Sequence, residues 1–104
     1  MDKAAKGDHA AQTSLGMRYH SGQDVPQSDV EALRWITKAA VSGYAPAQAN
    51  LGYMYYNGIA VQKNVTDAMS WYSQAAEQGY APAQTSINNI RKQQQDNTPA
   101  AGQP

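Results

Sequence analysis

"GYAPAQ" stands at residues 43–48 and again at residues 79–84, 36 positions later. The correspondence extends well beyond the hexamer. Sliding the chain by 36 places Leu15 on Leu51, Gly16 on Gly52, Tyr19 on Tyr55, Gly22 on Gly58 and Val25 on Val61. Ala32 falls on Ala68, Trp35 on Trp71, Ala39 and Ala40 on Ala75 and Ala76, and Gly43 on Gly79. Fifteen of the 36 residues in 12–47 are identical to their counterparts in 48–83. A period of this length marks a stacked supersecondary unit, so the unit is read before any single residue.

Each unit reads as two helices. In "PAQANLGYMYYN" (46–57), Ala47, Leu51 and Tyr55 recur every four residues with Gln48 and Gly52 beside them, which makes one helical stripe. Pro46 suits a first helical position, where its missing N–H would have had no partner anyway. Gly58 supplies a stop. Ser28 and Asn64 open the second helices as N-caps, and Glu31, three residues after Ser28, predicts a capping box. The second helices run to Gly43 and Gly79, glycines that turn the chain at positive φ. The hexamer is therefore punctuation: glycine ends one helix, proline starts the next, and alanine and glutamine enter its inward face. This predicts five helices, near 9–20, 28–41, 46–57, 64–77 and 82–93.

Gly16 and Gly52 fall in mid-helix, where glycine costs about 1 kcal/mol relative to alanine. A cost accepted twice predicts close helix–helix approach with no room for a Cβ. Ala39–Ala40 and Ala75–Ala76 fit the same reading, and Trp35, Trp71, Leu33 and Met69 are expected to supply the bulk of the core. The chain has no phenylalanine, so tyrosine and tryptophan carry the aromatic packing. "AAKGDHAAQ" (4–12) is an approximate copy of the turn, as though an earlier second helix ended there. "APAQTSINNIRKQ" (81–93) opens a third copy with Asn88 in place of the mid-helix glycine. With Asn89, Arg91 and Lys92 solvated, it is expected to cap the stack. The domain is thus placed at 1–93, and residues 94–104, which hold no large apolar side chain, are expected to be a disordered tail.

The order LG-x-x-Y-x-x-G-x-x-V followed by A-x-x-W-x-x-x-AA-x-x-G-Y-A, at Leu15–Ala45 and Leu51–Ala81, resembles the Sel-one-like repeat (SLR), a branch of the tetratricopeptide-repeat superfamily. The resemblance implies an all-α, right-handed α/α superhelix, a solenoid of two full repeats with partial flanking repeats. It also implies a scaffold for other proteins, of a kind that in bacteria often serves secretion, envelope or host-interaction complexes. Three departures stand out. Asp24 and Ala60 occupy a position where the family usually has glycine; aspartate tolerates the left-handed region better than alanine, which predicts a differently shaped second loop. The usual aspartate cap of the second helix is here Ser28 and Asn64. The disulfide-bridged bacterial subgroup is excluded, because the chain has no cysteine.

Composition narrows the function classes. The 104 residues, 41% of them hydrophobic, make one modest domain. Eight basic and eight acidic residues cancel, which speaks against a nucleic acid or an anionic membrane as partner. No apolar run approaches membrane-spanning length, so no membrane insertion is expected. The lack of cysteine and of a signal segment favours a reducing cytoplasm and is also compatible with a periplasmic or secreted protein whose leader has been removed. His9 and His20 do not share a helical face, so no metal pair is expected. No G-x-S-x-G turn and no glycine-rich phosphate loop occurs. Asp29 and Glu31 read as first-turn residues favoured by the helix dipole. Asn64-Val65-Thr66 matches a glycosylation sequon but reads as an N-cap. The expectation is a protein without catalytic residues, cofactor or metal.

Stepping 100° per residue from Leu15 puts Ala11, Gln12, Leu15, Gly16 and Tyr19 on the inward side of the first helix. Ala10, Thr13, Ser14, Met17, His20 and Ser21 point away. Their counterparts are Ala49, Asn50, Tyr53, Tyr56 and Asn57 in the next unit and Thr85, Ser86 and Asn89 in the last. In tetratricopeptide-like stacks the first helices line the concave side, so Met17, His20, Asn50, Tyr53, Tyr56, Asn57 and Asn89 are the candidate partner-binding residues. Tyrosine anchors and flanking amides suit an interface. Tyr53 reads as exposed; Tyr56 is open between exposure and packing on the next helix. The strip reads as neutral, so partner binding is expected to depend little on salt. The function expected is a protein or peptide adaptor, with a dedicated inhibitor or immunity protein as the alternative and self-association left open.

Overall fold

The computed structural model describes residues 7–96. They form five helices: α1 (His9–Ser21), α2 (Asp29–Val41), α3 (Ala45–Asn57), α4 (Val65–Glu77) and α5 (Ala81–Asp96). No strand occurs among the described residues. Each helix packs on the next in chain order, and α1 also meets α3. The A helices α1, α3 and α5 therefore make one layer and the B helices α2 and α4 the other, an all-α helical-repeat solenoid. Helix α5 continues to Asp96, so residues 94–96 of the expected tail are helical. The rest of that tail, 97–104, and residues 4–6 of the first approximate repeat lie outside the described residues.

The duplicated hexamer builds the same turn twice. Gly43 and Gly79 stand at φ 95° and 87°. Tyr44 N–H donates to Ala39 O at 3.1 Å and Gly43 N–H to Ala40 O at 3.0 Å, with the same pair at Tyr80–Ala75 (3.2 Å) and Gly79–Ala76 (2.8 Å). This is a Schellman closure, which satisfies carbonyls that the helix leaves unpaired. Tyr44 then serves as the N-cap residue of α3, with Pro46 in its first turn.

At the B-helix starts, Ser28 Oγ accepts from Glu31 N–H at 3.2 Å and Asn64 Oδ1 from Asp67 N–H at 2.9 Å. Only half of the predicted capping box forms. Ser28 donates its own N–H to Tyr19 O at 2.9 Å, and the Glu31 carboxylate turns to Arg34 at 3.4 Å. Asn64 N–H makes the matching bond to Tyr55 O at 2.9 Å. The repeated tyrosine carbonyls thus clamp each A helix to its own B helix. That clamp also corrects the expected difference between loops: Asp24 and Ala60 both take the left-handed region, at φ 64° and 61°. Gly22 and Gly58 end their helices alike and the clamp fixes the far side, so Ala60 adopts the bend that a glycine would take without strain.

Gly16 and Gly52 are buried and hold A against B. A Cβ on Gly16 would stand 2.5 Å from Ile36 Cγ1 and 3.1 Å from Ala32 O. On Gly52 it would stand 3.1 Å from both Ala68 O and the Tyr72 ring. Around these contacts lie Ala39, Ala40, Ala47, Leu51 and Met54 in one cluster and Ala75, Ala83, Ile87 and Ile90 in the next. The bulk of the core differs from the expectation. Ile36, Leu51, Met54, Tyr72, Ile87 and Ile90 are buried, whereas Trp35, Trp71, Leu33 and Met69 are only half-buried. Trp71 packs on the cluster that α2 and α3 share, while Trp35 lies under the Arg34 guanidinium (5.5 Å) and the Lys38 ammonium (5.1 Å).

Candidate functional site

The 36-residue period sets equivalent side chains side by side on the A layer: Ser14, Asn50 and Ser86; Met17, Tyr53 and Asn89; His20, Tyr56 and Lys92. Three clefts follow this face. The first, about 570 Å³, lies between Ser14, Met17, Arg18 and His20 of α1 and Tyr44 and Pro46 at the start of α3. The second, about 30 Å³, is enclosed by Met17, His20, Asn50 and Tyr53 with Ile36, Met54 and Ile59. The third, about 220 Å³, separates α3 from α5 and is lined by Tyr53, Tyr56, Asn57, Ser86, Asn89 and Gln93, with Tyr72 and Ile90 also in its wall. Met17 and His20 belong to the first and second clefts, and Tyr53 to the second and third. All seven sequence-predicted residues thus line two adjoining clefts.

Their freedom differs. Met17 is 44% exposed and Tyr53 51%, large values for such side chains. Asn89 and Asn57 are exposed, but Asn57 Nδ2 donates back to Tyr53 O at 2.9 Å. Tyr56 is half-buried; its hydroxyl donates to Gln93 Oε1 and the Lys63 ammonium stands 5.4 Å from its ring centre. Packing on the next helix is the alternative that holds for Tyr56. His20 is anchored too, with Nδ1 2.7 Å from Asp29 Oδ1. Gln27 braces this pair, donating to Asp29 Oδ1 at 3.0 Å and His20 O at 3.1 Å. Thr13, expected to point outward, is 8% exposed, and its hydroxyl donates to His9 O at 2.8 Å.

Tyr72 is the residue that the sequence reading missed. It holds the place of Ile36 one repeat on, a core position, and carries a phenol into the wall of the third cleft. Burial pushes that phenol above its ordinary pKa, the Tyr53 and Tyr56 phenols add to the rise, and a hydrogen bond with Ser86 opposes it. The signal was the exchange itself: a polar-tipped ring replacing an aliphatic residue in register.

Hydroxyls, amides, aromatic rings, aliphatic side chains and one guanidinium, that of Arg18, line the three clefts; no carboxylate does. Such a surface can stack and hydrogen-bond. Ser21, in the same cleft as His20, directs its hydroxyl to Arg18 O at 3.3 Å. Among the described residues no three His, Cys, Asp or Glu side chains gather as a metal site, and no helix is long and apolar enough to cross a membrane.

Comparison with known proteins agrees with the geometry. The Sel1 repeat family model matches residues 9–44 and 45–80, one A–B pair each. The crystal structure of a Sel1 repeat protein from Oxalobacter formigenes is 42% identical over 85% of this chain, with a TM-score of 0.78. A protective antigen present in uropathogenic Escherichia coli strains, which displays an SLR fold, is 40% identical over 83% of this chain, with a TM-score of 0.79. The matches cover 66% of the first protein and 18% of the second. No curated protein matches the chain. Two matched repeats, the shared solenoid and identities of this size place the chain in the Sel1 repeat family.

Proposed function

We propose that this protein binds a partner protein or peptide along the A-helix face, in the clefts that run from α1 to α5. Sel1 repeat proteins are generally protein-interaction modules, helical scaffolds that are typically non-catalytic. The observation that carries the reading is the run of adjoining clefts with Tyr53 at its centre, half-exposed and shared by two of them. A tyrosine in such a place offers a large, stiff contact area with a polar tip.

The test is capture of a binder from the native organism, followed by affinity measurement with two double variants. Tyr53→Ala with Asn50→Ala is expected to weaken binding about thirtyfold, the usual loss for a hot-spot tyrosine of about 2 kcal/mol. Lys38→Ala with Gln74→Ala, exposed positions on α2 and α4, is expected to change little. Unchanged melting temperatures separate lost contact from lost structure. The reverse pattern would move the site to the B-helix face and overturn the reading.

A further inference from the structure

The chain as a whole is neutral, but its two layers are not. The A helices carry Arg18, Arg91 and Lys92 against a single carboxylate, Asp96, and α3 carries no charge at all. The B helices carry Asp29, Glu31, Asp67 and Glu77 against Arg34 and Lys38. The A layer is therefore the more positive of the two, although Arg91 lines a separate cleft with Ser73 and Glu77 of α4. The cations sit toward the two ends of the clefts. Arg18 lines the first; Lys63 lies over the Tyr56 ring beside the third, and Lys92 holds the register of Tyr56 one repeat on. Asp29, which reaches this face from α2, is already bonded to His20 and Gln27. Between the ends, the central cleft is small and walled by Met17, Ile36, Met54 and Ile59.

From this arrangement we infer that the face takes an acidic, extended polypeptide segment, with one aliphatic side chain resting on the exposed Met17 and Tyr53 over the central cleft and carboxylates on either side of it. The inference rests on the partner-binding reading above and specifies the partner's chemistry. Complementary charge steers association and sets orientation, while the aliphatic anchor supplies the desolvated contact. A nucleic acid fits less well, because its affinity needs many phosphate contacts and this face offers few cations around an apolar centre.

Three labelled synthetic peptides test it by fluorescence anisotropy: a central leucine flanked by glutamates, by serines or by lysines. The glutamate peptide is expected to bind about tenfold tighter than the serine peptide and to lose that advantage in high salt. Arg18→Glu combined with Lys63→Glu is expected to invert the order. Equal or tighter binding of the serine or lysine peptide, or no binding of the glutamate peptide, overturns the inference. So does a short oligonucleotide that binds as tightly as the glutamate peptide, which would mark a general polyanion surface. The partner-binding reading is decided separately, by the Tyr53 and Asn50 variants against the captured binder, so each can fail without the other.

Discussion

Gln78, just past the end of α4, donates its side-chain amide to Gln48 Oε1 at 2.9 Å, across 30 residues of chain. The same amide donates to Gly43 O at 2.9 Å, and Gln48 Nε2 donates to Ala40 O at 3.2 Å. One buried glutamine at the start of α3 therefore joins the end of α2 to the end of α4. This gives the last letter of the duplicated hexamer its purpose. A glutamine there satisfies polar groups where two repeats meet, and a buried amide is tolerated because it is paired.

Gln48→Ala is accordingly expected to lower stability by about 2–3 kcal/mol, combining a lost buried hydrogen bond with a small cavity. Gln84, the same letter in the second hexamer, is exposed and bonds only within α5, to Asn88 Oδ1 at 3.1 Å. Gln84→Ala should stay within about 0.5 kcal/mol. Urea unfolding of the two variants checks the contrast; equal effects would show that the inter-repeat bond is not what Gln48 contributes.

The mid-helix glycines make a sharper case. Gly52→Leu adds helix propensity but drives a side chain against the Ala68 carbonyl and the Tyr72 ring, both 3.1 Å from the first added carbon. The clash is expected to win, with a loss of about 1–3 kcal/mol or more. Asn88, at the same register in α5, is exposed, so Asn88→Leu should be near neutral. A raised melting temperature for Gly52→Leu would contradict the close approach of α3 and α4.

The period made the helices, their caps and the close-packed glycines legible, because each depends on a residue type with one strong local reason to be there. What escaped depends on tertiary neighbours. Ile36 and Tyr72 fill the space facing Gly16 and Gly52, which no single-helix stripe reveals. The Thr13 hydroxyl could be buried because His9 O accepts it. The seven candidate contact residues were found from helical phase alone, but the phase could not show that Tyr56 is engaged by Gln93, or that Asn57 turns back to Tyr53 O. The separation of charge between layers was hidden by a net charge of zero, since it appears only when A and B helices are counted apart.

Ala60 holds a conformation that costs an L-residue about 1–2 kcal/mol. Ala60→Gly relieves that strain, and the extra freedom of the unfolded glycine offsets part of the gain. The net expectation is a stabilisation of about 0.5–1 kcal/mol, read as a higher melting temperature. Asp24→Gly should gain less, because aspartate enters the left-handed region more readily. A loss of stability in Ala60→Gly would mean that the alanine methyl makes a contact worth more than the strain.

Tyr72 links stability to alkaline pH. Its phenol is raised above the ordinary value near 10, chiefly by burial. Below that ordinary value the folded and unfolded chains both keep the proton, and the contribution of Tyr72 is constant. As pH rises past it, the unfolded chain releases the proton while the folded chain still holds it. The unfolded state then binds fewer protons, so stability falls, and it keeps falling until the raised folded value is passed. Tyr72→Phe removes this dependence and also the hydrogen bond with Ser86, which lowers stability by a roughly constant amount at neutral pH. The melting temperature of the unaltered protein should therefore drop more steeply than that of Tyr72→Phe as the pH rises past about 10. Parallel curves would show that the phenol reaches solvent in the folded protein, and that the third cleft is more open at its floor than Tyr72 and Ser86 make it.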